Sequence, residues 1–89
     1  MEFYFTYVLI SLKDKKFYIG SSKDVYKRLE QHNNGDNQST KSRIPFKLIH
    51  FEAHLSKDDA IRREKYFKSS PGKRTLKQML RTTLESFNN

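Results

Sequence analysis

The chain opens with a short run of aromatic and β-branched residues, 3–10, which predicts a first strand because it is too short for a lone helix. Residues 17–20 predict its partner, and the polar segment 13–16 between them is turn-like, so the two strands form a hairpin. Because side chains alternate along a strand, Phe5, Tyr7 and Leu9 share one face, and Tyr7 and Tyr18 lie side by side if the register permits.

The end of the hairpin predicts a close contact at a glycine, and the residues after it predict a first helix. Gly20 is expected to end the second strand, where the backbone turns or comes close to another group. The helix is predicted over residues 24–33, with Ser22 or Asp24 as its cap and the following Asn-Gly pair as its end. Arg28 and His32 lie four residues apart on this helix. They therefore place two cationic or proton-transferring groups beside the sheet.

A polar segment and a third strand come next. Residues 34–45 are polar and long for a loop in a chain of this size, which predicts a functional or mobile loop. Pro45 opens a third strand over residues 46–53. Alternation predicts two apolar residues on each face of this strand: Phe46 and Leu48 on one, Ile49 and Phe51 on the other.

Two helices are predicted in the last third of the chain. Ser56 resembles the start of a capping box, with Asp59 in the position usually held by Glu, and the Ser-Ser-Pro-Gly segment 69–72 ends this second helix. A third helix is expected over residues 71–87, with proline as its first residue. Its apolar stripe is most simply core, with a partner-binding surface as the alternative; it comprises Leu76, Met79, Leu80 and Leu84.

One acidic residue of the second helix, Glu64, falls inside the apolar arc of Ala60, Ile61 and Phe67. An ionised carboxylate on an inward face costs several kcal/mol unless it is paired or bound to a cation. Two interpretations stay open. Glu64 forms an ion pair with Arg28 or another basic residue, or it binds Mg²⁺, which often takes only one or two protein carboxylates.

The charge distribution favours a polyanionic partner. The chain of 89 residues has a formal net charge of +8, and residues 60–81 contain eight basic side chains and one acid. Such a block indicates nucleic acid, although a solvated helix face is the alternative, and a membrane surface is disfavoured. The sequence has no cysteine, no apolar run near the roughly 20 residues that span a bilayer, and no signal-peptide pattern. We therefore expect a single domain over residues 1–89 in the cytoplasm.

The ordered spacing of these residues resembles the GIY-YIG nuclease superfamily, and in particular its small free-standing bacterial branch. The likeness covers residues 3–73: Tyr7, ten residues, the Tyr-Ile-Gly of 18–20, seven residues, Arg28, three residues, His32, and then Glu64 on a later helix. Three residues of segment 34–45 also resemble that branch: Gly35, Thr40 and Pro45. The first motif departs from the pattern, because it reads Phe-Thr-Tyr instead of Gly-Ile-Tyr.

The resemblance implies an α+β fold, with a three-stranded antiparallel sheet flanked by helices, and a metal-dependent endonuclease. Glu64 would hold one Mg²⁺ or Mn²⁺ ion against the scissile phosphate, and Arg28 would neutralise charge in the transition state. Tyr7 would be the general base, its pKa lowered by Arg28 and the metal. Tyr18 would orient the water or a phosphate oxygen, and His32 would assist proton transfer.

Substrate contacts are expected from small and basic residues around this set. DNA is favoured over RNA, and structure-selective cleavage in repair or recombination is the expected context. A partner protein or a homodimer would supply specificity. The alternatives are a non-catalytic nucleic-acid-binding module of the same fold and a protein-interaction domain. The predicted nucleic-acid contacts are Gly20, Ser22, Lys23, Lys41, Arg43, Arg63, Lys65, Lys68, Lys73 and Arg74.

Overall fold

A computed structural model of the protein describes residues 2–88. Three antiparallel strands form one sheet with the order β2-β1-β3, and helices cover both of its faces. This architecture confirms the expected fold class. The elements are β1 (Tyr4–Ser11), β2 (Phe17–Ser22), α1 (Val25–Asn33), a 3₁₀ turn (Lys41–Arg43), β3 (Phe46–His54), α2 (Lys57–Lys68), α3 (Ser70–Met79) and α4 (Arg81–Glu85).

The central strand β1 is buried on both faces. Phe5, Tyr7 and Leu9 pack on the side covered by α1, as alternation predicts. Val8 lies on the opposite side, in a cluster with Phe67 of α2. Because β1 has helices on both sides, nearly every residue along it is apolar. The tyrosine of the first motif therefore lies on the central strand, in its buried part.

A bulge in β3 changes which residues share a face. The register between β1 and β3 shifts between Val8 and Leu9, which leaves Ile49 without a partner on β1. Ile49 packs on the α2 side, whereas Phe51 returns to the α1 side, with its ring centroid 5.8 Å from that of Phe5. The prediction that Ile49 and Phe51 share a face is therefore wrong, because the extra residue resets the alternation.

The predicted third helix over residues 71–87 is in fact two helices, which meet at Leu80 (φ −105, ψ 19). Leu76 is fully buried and Leu84 packs against the same core cluster, whereas Met79 is 42% exposed. Leu76, Leu80 and Leu84 all pack in the cluster that contains Val8 of β1. The leucine stripe is thus core, and Met79 does not belong to it.

The ends of α1 are fixed by specific hydrogen bonds. Asp24 is the N-cap, and its Oδ1 accepts from the backbone N–H of Lys27 at 3.0 Å. Gly35 follows the helix with φ +78, a left-handed conformation that favours glycine. Asn33 then accepts from the Phe46 N–H at 2.7 Å and donates to the Phe46 carbonyl at 3.0 Å. Asn33 thereby joins the end of α1 to the start of β3.

The predicted capping box of α2 forms only in part. The Ser56 hydroxyl accepts from the Asp58 N–H at 3.2 Å, which confirms Ser56 as the cap. Asp59 does not return a bond to Ser56, because its carboxylate accepts from Arg62 at 2.7 Å. Along residues 2–88, every helix is too short or too polar to cross a membrane.

Candidate active site

The hydroxyl end of Tyr7 lies directly over Gly20 of β2. The two residues are paired across the β1–β2 ladder, and a Cβ atom on Gly20 would lie 2.6 Å from Tyr7 Oη. Only glycine leaves room for the ring at this position. The predicted close approach at Gly20 is therefore confirmed, but the predicted strand end is wrong, because β2 continues to Ser22.

Gly20→Ala is expected to displace the Tyr7 ring and to lower the free energy of unfolding by about 1–3 kcal/mol, a typical cost of overpacking. Chemical denaturation measures this loss. The same substitution in a Tyr7→Leu background, where no ring crosses the glycine, is expected to lower stability much less. An equal loss in both backgrounds would show that the Tyr7 ring is not what Gly20 accommodates.

His32 is buried between the sheet and the loop that follows α1. It is 2% exposed, and its Nε2 lies 3.5 Å from Tyr7 Oη. Its Nδ1 lies 2.9 Å from Thr40 Oγ1. The Tyr18 ring centroid lies 4.5 Å from that of His32 and 6.3 Å from that of Tyr7. Three of the five predicted catalytic residues therefore form one contiguous group, and the predicted neighbouring position of the two tyrosines is confirmed.

Burial keeps both groups of the Tyr7–His32 pair uncharged at neutral pH. Burial raises the pKa of Tyr7 to about 12; Tyr18 and Glu64 add to this increase, and Arg28 acts against it. Burial, followed by the charge of Arg28, lowers the pKa of His32 below its ordinary value of 6.5. Arg28 lowers the pKa of Tyr7 as expected, but burial makes the larger contribution, so the net shift of the Tyr7 pKa is upward.

Glu64 lies at the edge of the α2 core, with a side chain that is 19% exposed. Its Oε1 accepts from the Ser21 hydroxyl at 2.6 Å, and its Oε2 contacts the Lys68 ammonium at 2.6 Å. The basic partner is therefore Lys68 and not Arg28. Ser21, which is not among the predicted site residues, orients the carboxylate through this bond.

The donor set around Glu64 fits a hard divalent ion better than a softer metal. Among residues 2–88, no group of three His, Cys, Asp or Glu side chains is arranged to hold a metal. A single carboxylate is nevertheless compatible with Mg²⁺, which completes its shell with water and phosphate oxygens. The Lys68 side chain is 54% exposed, so its ammonium can leave Oε2 when a divalent ion binds there.

Arg28 is exposed on α1 and lies near enough to Tyr7 for its charge to act on the Tyr7 pKa. The Asp24 carboxylate is engaged with the Lys27 N–H, and in the described part of the chain Arg28 forms no salt bridge with it. The Arg28 guanidinium is therefore available to an external anion. With His32 it lines a cleft of about 290 Å³, completed by Gln31, Asp36, Asn37 and Gln38.

Three of the predicted nucleic-acid contacts are held by acidic side chains of the protein itself. Arg43 Nε donates to Asp14 at 2.7 Å, and a second nitrogen of Arg43 reaches two backbone carbonyls. Arg63 Nε donates to Glu52 at 2.8 Å. Lys68, as described above, contacts Glu64. These pairings indicate structural roles that the sequence alone does not show.

The predicted nucleic-acid contact at Gly20 is wrong, because Gly20 is buried beneath the Tyr7 ring. The remaining predicted contacts are open to solvent in whole or in part. The Ser22 hydroxyl is half-exposed and bonds only the backbone of Asp24, at 3.0 and 3.2 Å. Lys23 lies 3.8 Å from Glu2, a loose surface pair of little energetic weight. The exposed basic side chains that are available for phosphate contacts are Lys23, Lys41, Lys65, Lys73 and Arg74.

Comparisons with known proteins identify the family of the chain. Residues 3–77 match the family described as the GIY-YIG catalytic domain. A UPF0213 protein of Staphylococcus saprophyticus is 35% identical over 78 residues, which cover 86% of this chain and 94% of the relative. The UPF0213 protein YsiG of Lactococcus lactis is 42% identical over 69 residues, which cover 76% of this chain and 65% of the relative.

A solved structure supports the same assignment. The solution NMR structure of a UPF0213 protein from Bacillus halodurans has a TM-score of 0.52 and 34% identity to this chain. The match covers 89% of this chain and 85% of that protein. The matched range 3–77 contains Tyr7, Tyr18, Arg28, His32 and Glu64. The chain therefore belongs to the GIY-YIG family.

Proposed function

We propose that the protein is a divalent-metal-dependent endonuclease that hydrolyses phosphodiester bonds in nucleic acid. The observation that carries the proposal is the position of the Tyr7 hydroxyl, which lies over Gly20 and 3.5 Å from His32 Nε2. Arg28 and Glu64 lie near enough for their charges to influence the Tyr7 pKa. A proton-transferring pair, an available guanidinium and a reachable carboxylate are the groups that this hydrolysis requires.

Glu64 would hold one Mg²⁺ or Mn²⁺ ion, with Ser21 keeping its donor bond to Oε1. When bound, the ion supplies positive charge to the phosphate oxygens and to the leaving group. Lys68 would release Oε2 and could then contact the substrate backbone. Arg28 would bind two phosphate oxygens with its planar fork as charge develops on them.

Proton removal from the attacking water follows from the two pKa shifts. A Tyr7 phenol with a pKa of about 12 stays protonated at neutral pH, so it can accept a proton only while it gives up its own. His32 Nε2 is the neighbouring acceptor, and the lowered pKa of His32 keeps this ring neutral. We therefore assign Tyr7 and His32 as a relay, and Tyr18 as the ring that packs beside them.

The proposed substrate is DNA in preference to RNA, with a branched or damaged structure met in repair or recombination. The exposed basic side chains support backbone contacts, which position a substrate without reading its sequence. Selection of the substrate would then come from its shape, from a partner protein or from a second copy of the chain.

The test is cleavage of a labelled panel that contains single strands, duplex, flap, fork and four-way junction in DNA and RNA forms. Each substrate is incubated with Mg²⁺, Mn²⁺ or a chelator. Metal-dependent cutting of any member supports the proposal, and the preferred member identifies the substrate. Salt-sensitive binding to the panel without any cutting would instead support the second candidate, a non-catalytic binding module, which the Ser21 and Lys68 contacts to Glu64 also accommodate.

Arg28→Lys is expected to reduce the single-turnover cleavage rate by about 10²-fold, because a point charge cannot replace a bidentate fork. Binding of the substrate should change little, since the positive charge remains. Arg62→Lys, on the exposed face of α2, is the matched control and should cut at the wild-type rate. A wild-type rate in Arg28→Lys would remove Arg28 from the catalytic set.

A further inference from the structure

A buried hydroxyl in the loop after α1 contacts the histidine of the proposed relay. Thr40 is 2% exposed, and its Oγ1 lies 2.9 Å from His32 Nδ1. The loop brings Thr40 back to α1 after the turn at Gly35, which has φ +78. The backbone N–H of Thr40 also donates to the Asn37 carbonyl at 3.1 Å, which fixes the residue in place.

The hydrogen bonds around this contact define its direction. Tyr7 is 2% exposed, and among residues 2–88 His32 Nε2 is the one acceptor within hydrogen-bond range of its hydroxyl. A buried hydroxyl proton needs an acceptor, so the Tyr7 O–H points to Nε2. Nε2 then carries no proton, and Nδ1 carries the ring proton. The Thr40 oxygen accepts a hydrogen bond from this Nδ1–H, and the Thr40 O–H points to the Asn37 carbonyl at 3.4 Å.

We infer that Thr40 is a positioning residue that fixes the Nδ1–H tautomer of His32. The unprotonated Nε2 of His32 then faces Tyr7. In a neutral imidazole, the hydrogen bond made by one nitrogen determines the state of the other. Thr40 touches neither substrate nor metal in this role. It acts through His32, from a loop whose polar pattern does not show that Thr40 is buried.

The catalytic meaning of this tautomer rests on the proposed nuclease function. As the water oxygen bonds to phosphorus, the ester P–O bond to the leaving strand breaks, and the departing alkoxide takes a proton from solvent. In the same step one water O–H bond breaks, and its proton joins Tyr7 Oη. The original Tyr7 proton moves to His32 Nε2, which becomes imidazolium. The Nδ1–H continues to donate to Thr40 Oγ1, so the ring holds its orientation while it is charged. The proton leaves Nε2 when the product departs.

The test compares wild type, Thr40→Val and Thr40→Ser. Nitrogen-15 NMR of the histidine ring reports the tautomer directly and does not depend on metal or on cleavage. We expect the Nδ1–H form in wild type and in Thr40→Ser. Thr40→Val, which keeps the shape but has no acceptor oxygen, should lose that form. The matched control is Thr75→Val, at a position far from His32 in the sequence. It removes a hydroxyl that lies 2.7 Å from the Tyr66 hydroxyl.

Cleavage supplies the second readout. Thr40→Val should lower kcat by about 10- to 100-fold with KM nearly unchanged, and Thr40→Ser should restore most of the rate. An Nε2–H tautomer in wild type, or an unchanged Nδ1–H tautomer in Thr40→Val, would overturn the inference. If Thr40→Val does not fold, the wild-type and Thr40→Ser spectra still decide the tautomer. The expected tautomers without cleavage by any variant would refute the nuclease and leave the role of Thr40 in positioning His32 intact.

Discussion

Glu64→Gln is expected to reduce metal-dependent cleavage by about 10³-fold or more, since the contribution of a catalytic ion to the barrier is several kcal/mol. Glutamine keeps the size of the side chain and can still accept from Ser21, so the fold should persist. It removes the negative charge that would bind the ion and that now contacts Lys68. Binding of the substrate, measured by anisotropy in a chelator, should stay within a few-fold of wild type.

The control for this prediction is Glu85→Gln, an exposed carboxylate on α4. It carries the same chemical change and should cleave at the wild-type rate. If Glu64→Gln cleaves as fast as Glu85→Gln, any observed activity belongs to a contaminant or to another site. If Glu64→Gln instead fails to bind the substrate, the carboxylate is needed for structure, and its role in catalysis would have to be abandoned.

Tyr7→Phe is expected to lower the single-turnover rate by about 10²- to 10⁴-fold, the range over which a positioned acid or base accelerates reactions. The substitution removes only the hydroxyl, and the ring can still lie over Gly20 and pack beside Tyr18. The hydroxyl has one long contact to His32, at 3.5 Å, so its loss should change the free energy of unfolding little.

Tyr26→Phe is the matched control, because Tyr26 is 70% exposed and lies on the same helix as Arg28. It should leave the rate unchanged. A wild-type rate in Tyr7→Phe would mean that the attacking water loses its proton to another group, such as solvent or a second phosphate oxygen. In that case the contact between Tyr7 and His32 would be a packing feature of the core.

Local pattern was sufficient to predict much of the scaffold. The alternation in β1 predicted that Phe5, Tyr7 and Leu9 share one face. The Asp24 cap set the start of the helix that carries Arg28 and His32. The close approach at Gly20 also follows from the sequence, because a lone glycine within a strand pattern indicates contact with another group. These features depend on residues close together in sequence or on a single unusual residue.

Other features depend on contacts between distant segments, which no local pattern encodes. The bulge at Ile49 arises from the register of β3 against β1. Arg43 and Asp14 are 29 residues apart, so their pairing is visible only once the hairpin and the 3₁₀ turn meet. The raised pKa of Tyr7 follows from burial beneath α1, which outweighs the charge of Arg28. The polar character of the loop likewise gave no sign that Thr40 is buried against His32.

The most direct test of the central proposal is the dependence of the single-turnover cleavage rate on Mn²⁺ concentration, measured for wild type and Glu64→Gln on the preferred substrate of the panel. We predict that the wild-type rate rises from zero as Mn²⁺ is added and saturates along the curve expected for one bound ion. Glu64→Gln should stay near background across the same range. A wild-type rate that does not depend on metal, or a Glu64→Gln curve that overlays the wild-type curve, would contradict the assignment of Glu64 as the metal-binding residue of a nuclease.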